Sequence, residues 1–243
     1  MRVFEAPSPN QDDRPDDAEV DTIVLHYTGM KTAAEAIARL RDKAARVSSH
    51  YVVEEDGKIW RLVPEGRRAW HAGVSYWRGR TGLNDVSVGI EIVNPGHEHG
   101  YRDFPVMQMA AVCDLCLEIV SRHKVPARNV VAHSDIAPDR KDDPGERFDW
   151  AGLAENGVGL FPAGMPDPGT AGVVRDAASL QGVRAALTAI GYRVAAEGAP
   201  DPALSAVLRA FQRHWRAEAV TGEADAGTLA RLLAVARLCQ PGP

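Results

Sequence analysis

Two histidines, an aspartate and the loop between two of them carry the chemistry this sequence can do. The apolar run Val130–Ala132 ends in His133, and the polar loop after it brings Lys141 and Asp143 back between Pro138 and Pro144. A second apolar run, Thr22 to Leu25, also ends in a histidine, His26. Two imidazoles and one carboxylate make three N/O ligands with one position open for water, the pattern of a catalytic rather than a structural zinc. A lone histidine is usually structural or solvated. Both of these, however, sit at strand ends, where open α/β sheets place their sites, and the loop holding Asp143 is stiffened by its prolines.

Glu91 interrupts an otherwise apolar stretch, Val86 to Val93. Burying an ionised carboxylate there has a desolvation cost that packing does not offset, so it is either a salt-bridge partner or a functional acid. As a functional acid it would take a proton from attacking water and give it to a leaving amine. Lys141, otherwise a solvated loop lysine, could stabilise an oxyanion. The long irregular segment from Pro64 to Asp85 is rich in Gly, Arg and aromatics. Its Trp70, His71, Tyr76, Trp77 and Arg78 either stack on and fork onto a ligand or pack the loop. Cys113 and Cys116 have metal-site spacing without a partner pair, so core packing is expected of them. His97-Glu98-His99 is expected to be a solvated loop.

The elements that must position these groups follow from periodicity. Thr32-Ala33-Ala34-Glu35 is a capping box opening a helix to about Arg46, with Ala36, Ile37, Leu40 and Ala44 on its apolar side. The runs 50–55 and 58–63 flank Asp56-Gly57, a hairpin turn. Pro105 opens a helix to about Lys124, with Val106, Ala110, Cys113, Leu117 and Val120 as its expected stripe. The order β-α-β-β-β-α-β predicts an α/β or α+β domain with a mixed sheet flanked by helices, over 21–150. Residues 1–20 are expected to be an acidic tail, 151–175 a Gly/Pro-rich linker, and 176–243 a small three-helix domain.

Composition narrows the function classes. The chain has 243 residues, 45% hydrophobic and 25% charged, with net charge -5. That acidic balance argues against a nucleic-acid partner, and no apolar run reaches the ~20 residues that span a bilayer. Three cysteines do not make a disulfide framework. With no apolar leader at its start, the chain as written is expected in the cytoplasm; a signal removed before this start would instead place it in the periplasm or cell envelope. A monomer is expected.

Taken together, Leu25-His26-Tyr27-Thr28, Ser48 to Val53 with Asp56-Gly57, Trp70-His71-Ala72-Gly73, Val88-Gly89-Ile90-Glu91 and Ala132 to Gly145 resemble the type 2 N-acetylmuramoyl-L-alanine amidases. The resemblance covers about Asp21 to Trp150. It implies zinc on His26, His133 and Asp143, with Asp143 preferred to Asp142 because it precedes Pro144-Gly145. It also implies Glu91 and Lys141 as the catalytic pair, and cleavage between the lactyl group of N-acetylmuramic acid and L-alanine in peptidoglycan or muropeptides. His50 and His71 fall in the same motifs and are assigned to site support or substrate contact. The C-terminal segment resembles a three-helix peptidoglycan-binding domain through Leu180-Gln181, Leu187, Gly191-Tyr192, Ala210-Phe211-Gln212, Gly222, Asp225 and Thr228-Leu229. Such a module would tether a catalytic domain to a polymer. The alternatives are a non-catalytic recognition module that binds peptidoglycan and a zinc hydrolase of another amide.

Overall fold

The computed structural model describes residues 2–165 and 168–240. In chain order its elements are β1 (Val3–Glu5), β2 (Gln11–Asp13), β3 (Thr22–Tyr27), α1 (Ala33–Arg41), β4 (Tyr51–Val53), β5 (Ile59–Arg61), β6 (Arg67–Ala69), β7 (Tyr76–Trp77), β8 (Arg80–Thr81) and β9 (Ser87–Ile92). There follow α2 (Gly96–His99), α3 (Val106–His123), β10 (Val130–Ala132), α4 (His133–Ile136), α5 (Trp150–Glu155), α6 (Ala177–Ile190), α7 (Pro202–Trp215) and α8 (Ala226–Leu238). The main sheet runs β1-β5-β4-β9-β3-β10. Its neighbours are parallel except for β4 and β5, which form the hairpin around Gly57. Gly57 is required twice over: its φ is 85°, and a Cβ there would lie 2.9 Å from the Met107 carbonyl oxygen. The mixed sheet flanked by helices is the α/β architecture expected from the sequence.

Alternation along β3, β9 and β10 sorts their side chains onto two faces. Ile23, Leu25, Val88, Ile90, Ile92, Val130 and Ala132 share one core with α3. Val24 and Val131 belong to another, which they share with Trp77 and α6 to α8. His26, Glu91 and Gly89 therefore fall on this second face. A smaller core, with Leu40 of α1 against Val52, Leu62 and Val93, lies beside it.

Several expectations change. The buried side of α3 is Gln108, Val112, Leu115, Cys116 and Ile119. Val106 is 85% exposed and Leu117 39%, so the expected stripe was out of phase. Apolar residues surround this helix, and Gln108 is recruited inward because its amide donates to the Val53 and Val93 carbonyls at 3.1 and 2.9 Å. The Cys113 and Cys116 thiols are free; Cys116 is buried and Cys113 packs against the same core. At the N-terminus, where a tail was expected, β1 extends the sheet and β2 pairs with β6. Arg14 holds that segment down by donating to the Glu65, Asn84, Asp85 and Ser87 carbonyls. No helix among the described residues is long and apolar enough to cross a membrane.

The helices α6 to α8 share a continuous core with the sheet instead of hanging from a free linker. Trp150 and Leu153 of α5, and Val158 after it, are buried in the α3 core. Trp77 is 1% exposed and meets Tyr192 edge-on at 5.1 Å. Arg78 donates its backbone N–H to the Gly191 carbonyl at 2.9 Å and its guanidinium to the Ile190 carbonyl at 2.7 Å. Trp77 and Arg78, candidates for substrate contact, thus join the helical unit to the sheet. Removing the indole leaves a large void at that junction. Trp77→Ala should destabilise the protein by ~3–5 kcal/mol in equilibrium denaturant unfolding, and a loss below ~1 kcal/mol would contradict this packing role.

Candidate functional site

Parallel register brings the reactive groups together. His26 is paired with Glu91 across β3 and β9, so their side chains stand next to each other on one face. Across β3 and β10, Leu25 is paired with Ala132, and the next residue on each strand is His26 or His133. The loop after α4 folds back to these strand ends. Its turn is closed by the Lys141 N–H to the Ala137 carbonyl at 3.1 Å, and the Ser134 N–H donates to the Asp143 carbonyl at 3.0 Å. The result is a buried trio. His26 Nδ1 and His133 Nδ1 are 2.9 Å apart, and each is 3.1 Å from Asp143 Oδ2.

Hydrogen bonds behind the trio decide which ring nitrogen faces inward. His133 Nε2–H donates to the Ala72 carbonyl at 3.3 Å. On the other side, the Ser87 hydroxyl donates to the Leu83 carbonyl at 2.6 Å, so its oxygen accepts from His71 Nε2–H at 3.2 Å. His71 Nδ1 is then the acceptor for His26 Nε2–H at 3.1 Å. A carbonyl can only accept, and that fixes the direction of the whole relay. The His26 and His133 imidazoles are both left presenting an Nδ1 lone pair toward Asp143. Gly89 makes the relay possible, because a Cβ there would lie 2.4 Å from the His71 ring. Two imidazole nitrogens and a carboxylate oxygen converging in this way fit a divalent zinc-type ion.

Electrostatics agree with that chemistry. Burial, then the proximity of His133, lowers His26 to about 4, with Asp143 opposing. Burial alone would raise Asp143; protons on His133 and His26 outweigh it and hold the carboxyl well below its usual range, and where both Nδ1 atoms carry lone pairs a cation must take the protons' place. Burial, followed by the Asp143 charge, pushes Glu91 well above the ordinary carboxylate range, against Lys141. Glu91 Oε2 is buried without a hydrogen-bond partner.

Glu91, Lys141, Trp70 and His71 line one cleft of about 380 Å³ with the trio. Tyr76 lies outside it, beneath the Arg193 guanidinium. His50 is also elsewhere: fully buried, it accepts the Gly89 N–H at 2.9 Å and ties β4 to β9. Other cleft residues were not singled out from sequence. Arg140 donates to the Ala72 and Val74 carbonyls at 2.5 and 2.6 Å and so shapes the 72–74 turn. Its position beside Lys141 was the only available signal. Arg39, placed on the solvent face of α1, reaches the cleft as well. His97, expected in a solvated loop, lies in α2 and bridges the Tyr27 hydroxyl at 3.0 Å and Glu146 at 3.2 Å.

A mixed sheet with a His-His-carboxylate trio and an unpartnered acid at its strand ends defines a hydrolase site able to hold a metal. Residues 16–146 match the model of the N-acetylmuramoyl-L-alanine amidase family, and residues 177–232 match that of a peptidoglycan binding domain. The chain belongs to the N-acetylmuramoyl-L-alanine amidase family. It is 41% identical over 228 residues to the N-acetylmuramoyl-L-alanine amidase AmiD of Escherichia coli (strain K12), covering 87% of this chain and 80% of that protein. It is 37% identical over 162 residues to the 1,6-anhydro-N-acetylmuramyl-L-alanine amidase AmpD of Citrobacter freundii, covering 60% of this chain and 84% of that one. Among solved structures, AmiD from E. coli in complex with anhydro-N-acetylmuramic acid-L-Ala-D-gamma-Glu-L-Lys superposes with a TM-score of 0.78 at 38% identity, over 93% of this chain and 92% of that one.

Three buried histidines make stability depend on pH. Burial holds His26 at about 4, His50 at about 3 and His71 well below the ordinary 6.5. The unfolded chain takes up protons on these rings that the folded chain refuses below about 6.5, so their contribution is fully present above that value and is lost as pH drops toward 4; Glu91, raised by burial, works in the opposite sense. Each group contributes up to ~1.4 kcal/mol per pH unit. Denaturant titrations of Glu91→Gln, which lacks the opposing carboxyl, with chelator present should show unfolding free energy decreasing from pH 7 to pH 5; a flat profile would mean these rings are solvated.

Proposed function

We propose that this amidase hydrolyses the amide between the lactyl carboxyl of N-acetylmuramic acid, including its 1,6-anhydro form, and the L-alanine of the stem peptide. The observation that carries the reading is Glu91, whose buried Oε2 has no partner and which stands in register with His26 beside the trio. The substrate class is supported by the ligand of the similar AmiD complex. His26 Nδ1, His133 Nδ1 and Asp143 Oδ2 would hold a zinc ion, which when bound supplies Lewis-acid polarisation of the scissile carbonyl. Glu91 takes the proton of the attacking water and passes it to the departing L-alanine nitrogen, a transfer suited to a carboxyl pushed upward by burial. Lys141 places an ammonium where the carbonyl oxygen gathers negative charge. Trp70 and His71 form the cleft wall against which the glycan or peptide lies.

The match of residues 177–232 to a peptidoglycan binding domain favours wall polymer as a second substrate. Mass spectrometry of digests of soluble anhydro-muropeptide and of purified sacculi tests both: free stem peptide beginning at L-alanine is expected, and release at another bond would overturn the assignment. Chelation should abolish turnover and zinc restore it. Glu91→Gln should keep zinc while losing ~10²–10⁴-fold in kcat, and an unchanged kcat would remove Glu91 from proton transfer.

A further inference from the structure

The helical unit reaches both flanks of the loop that carries Lys141 and Asp143. On one flank is Asp135, two residues after His133. Its Oδ1 accepts the Tyr192 hydroxyl at 2.5 Å, and its Oδ2 accepts the Ala132 N–H at 2.8 Å and His214 Nδ1–H at 2.6 Å. The His214 ring is stacked between Trp150 and Trp215, with centroids 3.6 Å away on either side. The residue before it, Arg213, faces the other flank. Its Nη2 lies 2.8 Å from Asp142 Oδ1, and its Nε lies 3.9 Å from Glu146 Oε2.

This ion pair differs from an ordinary surface pair. The Arg213 side chain is 12% exposed, and stacking of the adjacent His214 fixes the backbone that carries it. Packing of the Arg213 side chain already takes up much of its share of the entropy loss that cancels most surface bridges, although Asp142 itself is 51% exposed. Asp142 and Asp143 are adjacent carboxylates on one turn, the first half-exposed against Arg213 and the second buried against the histidines, so the direction of one side chain is tied to that of the other through the shared backbone. Engaging one from outside leaves the other to face His26 and His133, where Asp143 is found.

We propose that Arg213 is a positioning residue for the metal-ligand loop: by holding Asp142 outward it keeps Asp143 directed at the two histidines. The helical unit is thereby a working part of the amidase centre, whatever polymer it also binds. This rests on the metal reading of the trio, and the test separates the two.

Zinc affinity is measured for the full chain by competition with a chromophoric chelator, for wild type, Arg213→Ala, Arg213→Lys, Asp142→Asn and the Arg213→Ala/Asp142→Asn double variant. Loss of a group bonded directly to a ligand typically weakens metal affinity ~10–100-fold; Arg213 acts one residue removed, through Asp142, so a loss at the lower end, ~10-fold, is expected for Arg213→Ala. Arg213→Lys should recover part of it, since an ammonium can still reach one carboxylate. The double variant should be no weaker than either single one, because the arginine acts through Asp142. Thermal midpoints of the metal-free proteins should fall only modestly for Arg213→Ala, and zinc affinities are compared where every variant is folded; a merely structural role would leave the affinity of the folded variants unchanged. Wild-type affinity in Arg213→Ala, or losses that add in the double variant, would overturn the positioning role. If Arg213→Ala does not fold, Asp142→Asn carries the test alone, at a side chain 51% exposed: removing the charge that Arg213 holds should weaken zinc binding several-fold, and wild-type affinity there overturns the positioning role. A wild-type chain that binds no zinc overturns the metal reading and this inference with it.

Discussion

Three electron-rich atoms within 3.1 Å of one another, two of them imidazole nitrogens and the third a carboxylate oxygen, repel unless a proton or a cation lies among them. The surrounding structure keeps them there regardless. Sheet register sets two of the three, because His26 and His133 each follow a registered pair of β3 and β10. The third arrives on a loop whose backbone is bonded to α4. Behind them, the serine-histidine relay and the Ala72 carbonyl occupy the outward ring nitrogens, so lone pairs face inward. Gly89 is small because His71 lies on it. One electrostatic demand thus accounts for a strand register, a glycine, two tautomers and a loop return.

What was legible in the sequence follows from which of these features are local. An apolar run ending in histidine is local, and so is a carboxylate inside an apolar strand; His26, His133 and Glu91 were found in this way. Proline-flanked Asp143 was nearly as clear, though its preference over Asp142 came from a resemblance and not from spacing. The hairpin at Gly57 was legible because positive φ selects glycine. Tertiary partners were not. Trp77 and Arg78 sit in an irregular segment, and nothing near them in sequence indicates that they meet Tyr192 and Gly191 more than a hundred positions away. His50, assigned to site support or substrate contact, lies buried outside the cleft, where it accepts the Gly89 N–H and meets His71 edge-on at 5.6 Å; neither partner is near it in sequence. The buried side of α3 was missed because apolar residues surround that helix, and its phase is settled by Gln108 bonding to two strands.

The junction between the sheet and the helical unit bears on how the enzyme meets its substrate. A flexible tether raises local concentration by letting a catalytic domain search a volume set by linker length. Here the connecting chain is committed to packing over much of its first half, through Trp150, Leu153 and Val158, and the Trp215 indole donates to the Leu160 carbonyl at 3.2 Å. Trp77, Tyr192 and the stacked His214 then lock the two parts into one core. A polymer strand engaged by the helical unit would be presented to the cleft in one fixed orientation, without a volume to search. Such an arrangement sacrifices reach and gains pre-organisation, since the orientational entropy is lost during folding and not at each encounter. It also requires that the two binding surfaces be matched in geometry to the substrate. The ion pair and hydrogen bond that set their relation, Arg213 with Asp142 and His214 with Asp135, also adjoin the turn that carries Asp143.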